Sequence, residues 1–147
     1  MTPSGRSWTW GRCTEGENVG KGTWTIGVRE EFSAAHRLEN YGGKCEALHG
    51  HNYTVEAEVE GEAVDPATGL LLDFKDLRGR LKSVLAELDH HFLNEAPCLE
   101  GVNPSSEHLA RHIFRALRER LAGLPVRLTL VRVFEKPGQW AAWREGE

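Results

Sequence analysis

Residues 53–60 alternate strictly between apolar and polar side chains, and this pattern limits the fold more than any other feature. Successive side chains of a β-strand point to opposite faces of the sheet, so one face here is expected to be buried and the other exposed to solvent. Such a strand is typical of an antiparallel sheet with one covered face. A similar alternation between Thr23 and Phe32 predicts a partner strand. The apolar positions of the two strands are Trp24, Ile26, Val28, Phe32, Tyr53, Val55, Ala57 and Val59.

Two helical patterns follow this pair of strands. Large apolar residues recur at helical spacing over residues 74–88, behind an acidic N-cap residue. A second apolar stripe covers residues 109–121. Either Asn103 or Ser105 can cap this helix, and Pro104 suits its first turn, where no backbone N–H is needed. Both helices are therefore predicted to be amphipathic.

The chain returns to strands after the second helix. Residues 126–135 and 140–144 are predicted as strands, and Pro137 and Gly138 favour a turn between them. The order ββααββ predicts an α+β domain, a four-stranded antiparallel sheet with two helices on one face. On the other face we expect the glutamates of residues 56–60 to be solvated. Four strands leave two open edges, which pairing between chains would satisfy.

A histidine pair occurs where the alternating strand begins. His49 and His51 lie two residues apart, so both rings can point to one side of a strand. His36 lies at the end of the preceding strand, and Cys45 lies four residues before His49. Three neutral imidazoles with an open fourth position are typical of a catalytic zinc site. His-x-His pairs also occur by chance on exposed strands, and Cys45 could be a fourth ligand, a nucleophile or a base.

Length, charge and cysteine content restrict the class of protein. The 147 residues suffice for one domain with a core. Eighteen Lys and Arg against 22 Asp and Glu give a formal net charge of −4, which argues against a nucleic-acid partner. Three widely spaced cysteines favour reduced thiols and a cytoplasmic protein. No apolar run is long enough for a membrane span, so no membrane association is expected.

The first residues differ from the rest of the chain. Residues 1–22 contain five glycines and few aliphatic side chains, so we interpret them as a poorly ordered extension without an assigned function. Trp8 and Trp10 could instead dock on the domain or on a neighbour. The domain itself is expected to span residues 23–147.

Five motifs together resemble the 6-pyruvoyltetrahydropterin synthase / 6-carboxytetrahydropterin synthase family. They are, in the family's order, Phe32–Leu38, the Cys-x-x-x-His-Gly-His run at residues 45–51, Leu88–Asn94, Asn103–Glu107 and Phe134–Glu135. The resemblance extends from about Thr23 to Trp143, and five separate motifs rarely coincide by chance.

The resemblance implies a fold, an assembly and a reaction. The family has the tunnelling fold (T-fold), and its members usually assemble through sheet edges into hexamers made of two trimers. Its enzymes are zinc-dependent lyases that act on 7,8-dihydroneopterin triphosphate. A homo-oligomer with a small-molecule substrate is therefore expected.

The resemblance also assigns roles to individual residues. Cys45 corresponds to the family's proton-abstracting cysteine, and Asp89 and His90 correspond to a relay pair that meets this cysteine across a subunit boundary. Glu135 corresponds to the carboxylate that anchors the pterin and belongs to the catalytic set. The expected zinc ligands are His36, His49 and His51, and the expected pterin-binding hydroxyls are those of Ser105 and Ser106.

The residues before the histidine pair leave more than one product open. The short gap between Cys45 and His49 resembles the bacterial branch, which makes 6-carboxy-5,6,7,8-tetrahydropterin for 7-deazapurines such as queuosine. The pyruvoyl branch has a longer gap. Glu46 resembles a third branch, which cleaves the side chain to 6-hydroxymethyl-dihydropterin for folate. A pterin- or zinc-binding protein without catalysis is the alternative outside enzymes, and intact Cys45, Asp89 and His90 argue against it.

Overall fold

The predicted order of strands and helices is confirmed by the computed structural model, which describes residues 21–145. Almost all of the predicted extension at residues 1–22 lies outside the described residues. Within them, no helix is long and apolar enough to cross a membrane. The elements are β1 (Trp24–His36), β2 (His49–Gly61), α1 (Phe74–Leu85), α2 (Ser106–Arg120), β3 (Arg127–Lys136) and β4 (Gln139–Trp143).

The four strands form one antiparallel sheet in the order β1-β2-β3-β4, so β1 and β4 are its edges. Alternate strand residues and the apolar stripes of both helices form one buried cluster, as the patterns predict. The residues of this cluster that are fully buried include Tyr53, Val55, Ala57 and Val59 of β2, Leu77 and Leu81 of α1, Leu109, Ile113 and Leu117 of α2, and Val131 and Val133 of β3.

Near the element ends, one capping prediction and two burial predictions differ from the structure. Ser105 is the N-cap of α2 and accepts a hydrogen bond from the His108 N–H, so Pro104 precedes the helix and its predicted place in the first turn is wrong. Phe74 is 54% exposed because it is the first residue of α1, and the buried stripe begins one turn later. Trp24, the first residue of edge strand β1, is 58% exposed.

The face of the sheet opposite the helices is less solvated than predicted. The Glu56 side chain is only 18% exposed and lies between two arginines of neighbouring strands. Its Oε1 accepts from the Nε of Arg29 at 3.0 Å, and its Oε2 from the Nη1 of Arg132 at 2.6 Å. Although burial opposes the shift, these hydrogen bonds hold the pKa of Glu56 below its usual range. Glu56, which was predicted to be solvated, therefore forms ion pairs with arginines of both neighbouring strands.

Two asparagines hold the segment that follows β1. Asn94 accepts from the backbone N–H of Arg37 and donates to its carbonyl, both at 2.9 Å. Asn103 makes the same pair of bonds with Glu39, at 2.8 and 2.9 Å. Each side-chain amide thus makes the two hydrogen bonds that a residue of a neighbouring β-strand would make. We call these the asparagine clamps, and they fix the chain where it leaves β1 for the loop that carries Cys45.

Candidate active site

Strand register brings the three predicted histidines to one end of the sheet. His36 lies opposite His49 and Ala34 lies opposite His51, so the three ring-bearing residues occupy the helix-covered face of adjacent strands. The ring centroid of His36 lies 4.6 Å from that of His49 and 5.2 Å from that of His51. His36 is 1% exposed and is the only polar or charged residue that is fully buried within residues 21–145.

Hydrogen bonds fix the tautomers of two of these rings. The Nδ1 of His36 lies 2.7 Å from the carbonyl oxygen of Pro104, and the Nδ1 of His49 lies 2.8 Å from that of Ala47. A carbonyl oxygen can only accept, so both Nδ1 atoms carry the proton. In the neutral rings, both Nε2 lone pairs then face each other across 3.0 Å. A cation between them would satisfy both lone pairs, and this pattern of second hydrogen bonds is typical of metal-binding histidines.

The third histidine and a carboxylate complete the cluster. Within residues 21–145, the Nε2 of His51 is buried without a hydrogen-bond partner. The Oε1 of Glu135 lies 2.7 Å away but lacks the angles of a hydrogen bond. Burial lowers the pKa of His51 against the opposing effect of Glu135, which favours the neutral ring that metals bind. Ligand atoms of His36, His49, His51 and Glu135 all lie within 4.8 Å of one another, so this group could bind a metal ion.

The sequence did not predict Glu135 in the metal cluster. Glu135 shares the parity of the buried Val131 and Val133, which is a signal that its side chain faces the helices. The pairing with β4 shifts register between Phe134 and Lys136, so Glu135 is the extra residue of a β-bulge. Bulges re-aim side chains and are common beside active sites.

The two adjacent candidates for the base point to different places. Cys45 lies in a short 3-10 turn, Lys44–Glu46, and its half-buried side chain lines a cavity of about 650 Å³ together with all three histidines. Glu46 is not among the lining residues of this cavity. Its Oε1 accepts from the backbone N–H of Gly42 at 3.1 Å, within the same loop. Only the thiol therefore faces the cavity that contains the cluster.

The predicted pterin-binding residues line the same cavity. Ser105 and Ser106 line it at the start of α2, and Glu135 lines it beside the histidines. Within residues 21–145, the Ser106 hydroxyl is buried and has no hydrogen-bond partner. Lys44 also lines the cavity, whereas Arg37 does not.

Asp89 and His90 lie outside this cavity. His90 adopts a left-handed backbone with φ of 59° and lines a second recess with Ser33 and His51, and His51 also lines the first cavity. The Nδ1 of His90 lies 3.0 Å from the Oδ2 of Asp89, whose other oxygen accepts from the Ser33 N–H at 2.8 Å. That hydrogen bond holds the pKa of Asp89 below its usual range, so the carboxylate stays ionised beside the imidazole. A single chain thus has the pair assembled, but His90 and Cys45 line different recesses.

Comparison with known proteins gives one consistent result. The 6-pyruvoyl tetrahydropterin synthase family profile matches residues 25–146. A protein of Archaeoglobus fulgidus, provisionally named 6-carboxy-5,6,7,8-tetrahydropterin synthase, is 40% identical over 119 residues, which cover 81% of this chain and 94% of the relative. The 6-carboxy-5,6,7,8-tetrahydropterin synthase of Synechocystis is 37% identical over 106 residues, which cover 69% and 79%. Caenorhabditis elegans 6-pyruvoyl tetrahydropterin synthase superposes with a TM-score of 0.76 at 28% identity, covering 85% and 97%.

The matching structure agrees with the ββααββ order, and the family profile extends over nearly all of the described residues. The matched residues include the strands that carry the histidine cluster and the loop that carries Cys45. The relatives are named as tetrahydropterin synthases of two kinds, which differ in the product. From its sequence and its fold, the chain belongs to the 6-pyruvoyl tetrahydropterin synthase family.

Proposed function

We propose that this protein is a zinc-dependent 6-carboxy-5,6,7,8-tetrahydropterin synthase, a lyase that acts on 7,8-dihydroneopterin triphosphate in the cytoplasm. The observation that carries the proposal is that Cys45, and not Glu46, lines the cavity beside the histidine cluster. The names of the Archaeoglobus and Synechocystis relatives support the same product. That product would serve 7-deazapurine synthesis, such as the route to queuosine.

The cluster fits zinc in the chemistry of its donors. Imidazole nitrogens are common zinc ligands, and His36, His49 and His51 would hold the ion. The Nε2 atoms of His36 and His49 lie 3.0 Å apart, and hydrogen bonds on the far side of each ring orient their lone pairs. Zinc bound there would supply Lewis-acid polarisation of the substrate's side-chain oxygens.

The protein's own groups would position the substrate and move its protons. Glu135 would accept hydrogen bonds from the paired N–H groups of the pterin edge, with help from the hydroxyls of Ser105 and Ser106. Cys45 would remove a proton from the side chain. A free thiol, with a pKa near roughly 8.5, needs a nearby cation or imidazole to favour the thiolate, and the histidine cluster lines the same cavity.

The relay pair would act from a neighbouring subunit. His90 would exchange protons with the substrate bound beside the partner's Cys45. The ionised Asp89 would orient the His90 ring and balance its charge. Within residues 21–145, no strand pairs with the outer side of β4, and the outer side of β1 is bonded only near its end, where Ala35 bridges to Phe92. The remaining open edges support assembly through sheet edges. Trp24 and Trp140 are exposed on these two strands, at 58% and 57%, and would be covered by such pairing. The proposed assembly is a hexamer of two trimers.

Product analysis tests the proposed reaction against its alternatives. Incubation of purified protein with 7,8-dihydroneopterin triphosphate is expected to give 6-carboxytetrahydropterin by mass spectrometry. A 6-pyruvoyl product would instead agree with the C. elegans relative, and a 6-hydroxymethyl product would indicate that Glu46 acts in place of Cys45. Binding of substrate without turnover would leave only the non-catalytic alternative.

Metal analysis tests the cluster by itself. The protein is expected to retain about one zinc per chain after dialysis, because three imidazoles converge on one point. His49→Ala removes one of them and should retain far less. His91→Ala is the matched control, since His91 is exposed and lies outside the cluster. Elemental analysis that finds equal zinc in the His49 variant and the wild type would contradict the proposed ligand set.

A further inference from the structure

The Glu135 carboxylate occupies a place that pterin anchoring does not explain. Its Oε1 lies 2.7 Å from the Nε2 of His51 and 3.4 Å from the Nε2 of His36, inside the ring of ligand atoms. A pterin anchor needs only to face the cavity. Here the oxygen approaches the same nitrogens whose lone pairs would bind the metal, and it does so without hydrogen-bond geometry to His51.

The Glu135 side chain, unlike those of His36 and His49, is free to move. His36 and His49 are each held from behind by a backbone carbonyl. Within residues 21–145, the Glu135 carboxylate has no hydrogen bond or ion pair except its contacts with the histidines. Its side chain is 26% exposed and projects from the β-bulge of β3 into the cavity. It can therefore reorient without disturbing the sheet.

The two positions of the carboxylate exclude each other. Three imidazoles and one carboxylate would fill the four positions of a tetrahedral zinc site, which is then closed to substrate. A catalytic site needs an open fourth position, and the same carboxylate is needed at the pterin ring. We propose that Glu135 is the fourth metal ligand in the substrate-free protein and leaves the metal when a pterin binds. This inference rests on the proposed function and adds a second, alternating role to one of its residues.

Zinc affinity tests whether Glu135 is a metal ligand in the substrate-free protein. In competition with a chromophoric chelator, Glu135→Gln should raise the Kd for zinc by at least about 10- to 100-fold, the loss typical of removing even an outer partner of a metal site. Glu107→Gln is the matched control, because Glu107 lines the same cavity but lies outside the cluster. Equal affinity of Glu135→Gln and wild type would overturn the proposal, as would an equal loss in Glu107→Gln.

Cobalt spectroscopy tests the exchange. The visible absorption bands of bound Co²⁺ depend on the number and type of its ligands, so Co²⁺-loaded wild type and Glu135→Gln should differ without any pterin. Addition of 7,8-dihydroneopterin, which lacks the phosphates, should shift the wild-type bands as the carboxylate leaves. Binding of this pterin, followed by its own fluorescence, without any change in the bands would overturn the exchange.

These readouts do not depend on turnover. If 7,8-dihydroneopterin triphosphate gives no 6-carboxytetrahydropterin while the zinc and cobalt results are as expected, the proposed function fails and the ligand role stands. If the product forms but Glu135→Gln binds zinc like the wild type, the ligand role fails and the proposed function stands.

Discussion

Cys45→Ala is expected to abolish 6-carboxytetrahydropterin formation while the protein keeps its zinc. The thiol lines the cavity beside the histidines, and loss of a positioned base typically costs about 10²- to 10⁴-fold in rate. Zinc should remain because His36, His49 and His51 converge without help from the thiol. Product chromatography and elemental analysis of the purified variant measure the two effects separately.

Glu46→Ala is the matched comparison, because it changes the adjacent residue of the same turn. Its carboxylate accepts a hydrogen bond from Gly42 and does not line the cavity, so the main activity should be largely retained. Any 6-hydroxymethyl-dihydropterin side product should disappear. Loss of zinc in Cys45→Ala would make the cysteine a ligand, and loss of the carboxy product in Glu46→Ala alone would make the glutamate the main base.

A mixture of two inactive variants should recover activity. Cys45→Ala lacks the proposed base and His90→Ala lacks the proposed relay imidazole, yet each retains what the other has lost. In one chain, His90 and Cys45 line different recesses, and this separation is what a site shared between subunits would require. Subunit exchange creates some sites with both groups intact, so the rate should rise from background to a measurable fraction of the wild-type rate.

The control for this experiment is proof that mixed oligomers form. Differently tagged variants can be co-purified after exchange, and the activity is then assayed on the mixed fraction. A mixture of His90→Ala with Asp89→Ala should stay inactive, because both changes damage the same relay pair. Verified mixed oligomers of Cys45→Ala and His90→Ala without activity would place the complete site within one chain.

The sequence predicted what periodicity and spacing encode. The alternation over residues 53–60 and the helical stripe over residues 109–121 predicted the buried face of each element, because burial follows the period of the apolar residues. The shared face of His49 and His51 followed from the same rule. Their meeting with His36 depends on the register between β1 and β2, which places His36 opposite His49.

What the sequence did not predict depends on local geometry. The parity of β3 places Glu135 on the face that carries the histidines, but the β-bulge at this residue has no periodic signature. The hydrogen bond from Gly42 that holds Glu46 depends on one loop conformation. The pairing of Glu56 with arginines on both neighbouring strands required the register of three strands at once. Each of these features is set by tertiary contacts rather than by a pattern along the chain.

The asparagine clamps affect how the protein ages chemically. Asparagine commonly deamidates when the next backbone nitrogen attacks its side chain, and the resulting aspartate would set an oxygen against the carbonyl that the amide now binds. Asn103 is followed by Pro104, whose nitrogen carries no hydrogen and cannot close that ring. The clamp on Glu39 is thus protected from this route. Asn94, followed by Glu95, lacks this protection, so of the two clamps the one on Arg37 is the one open to this damage.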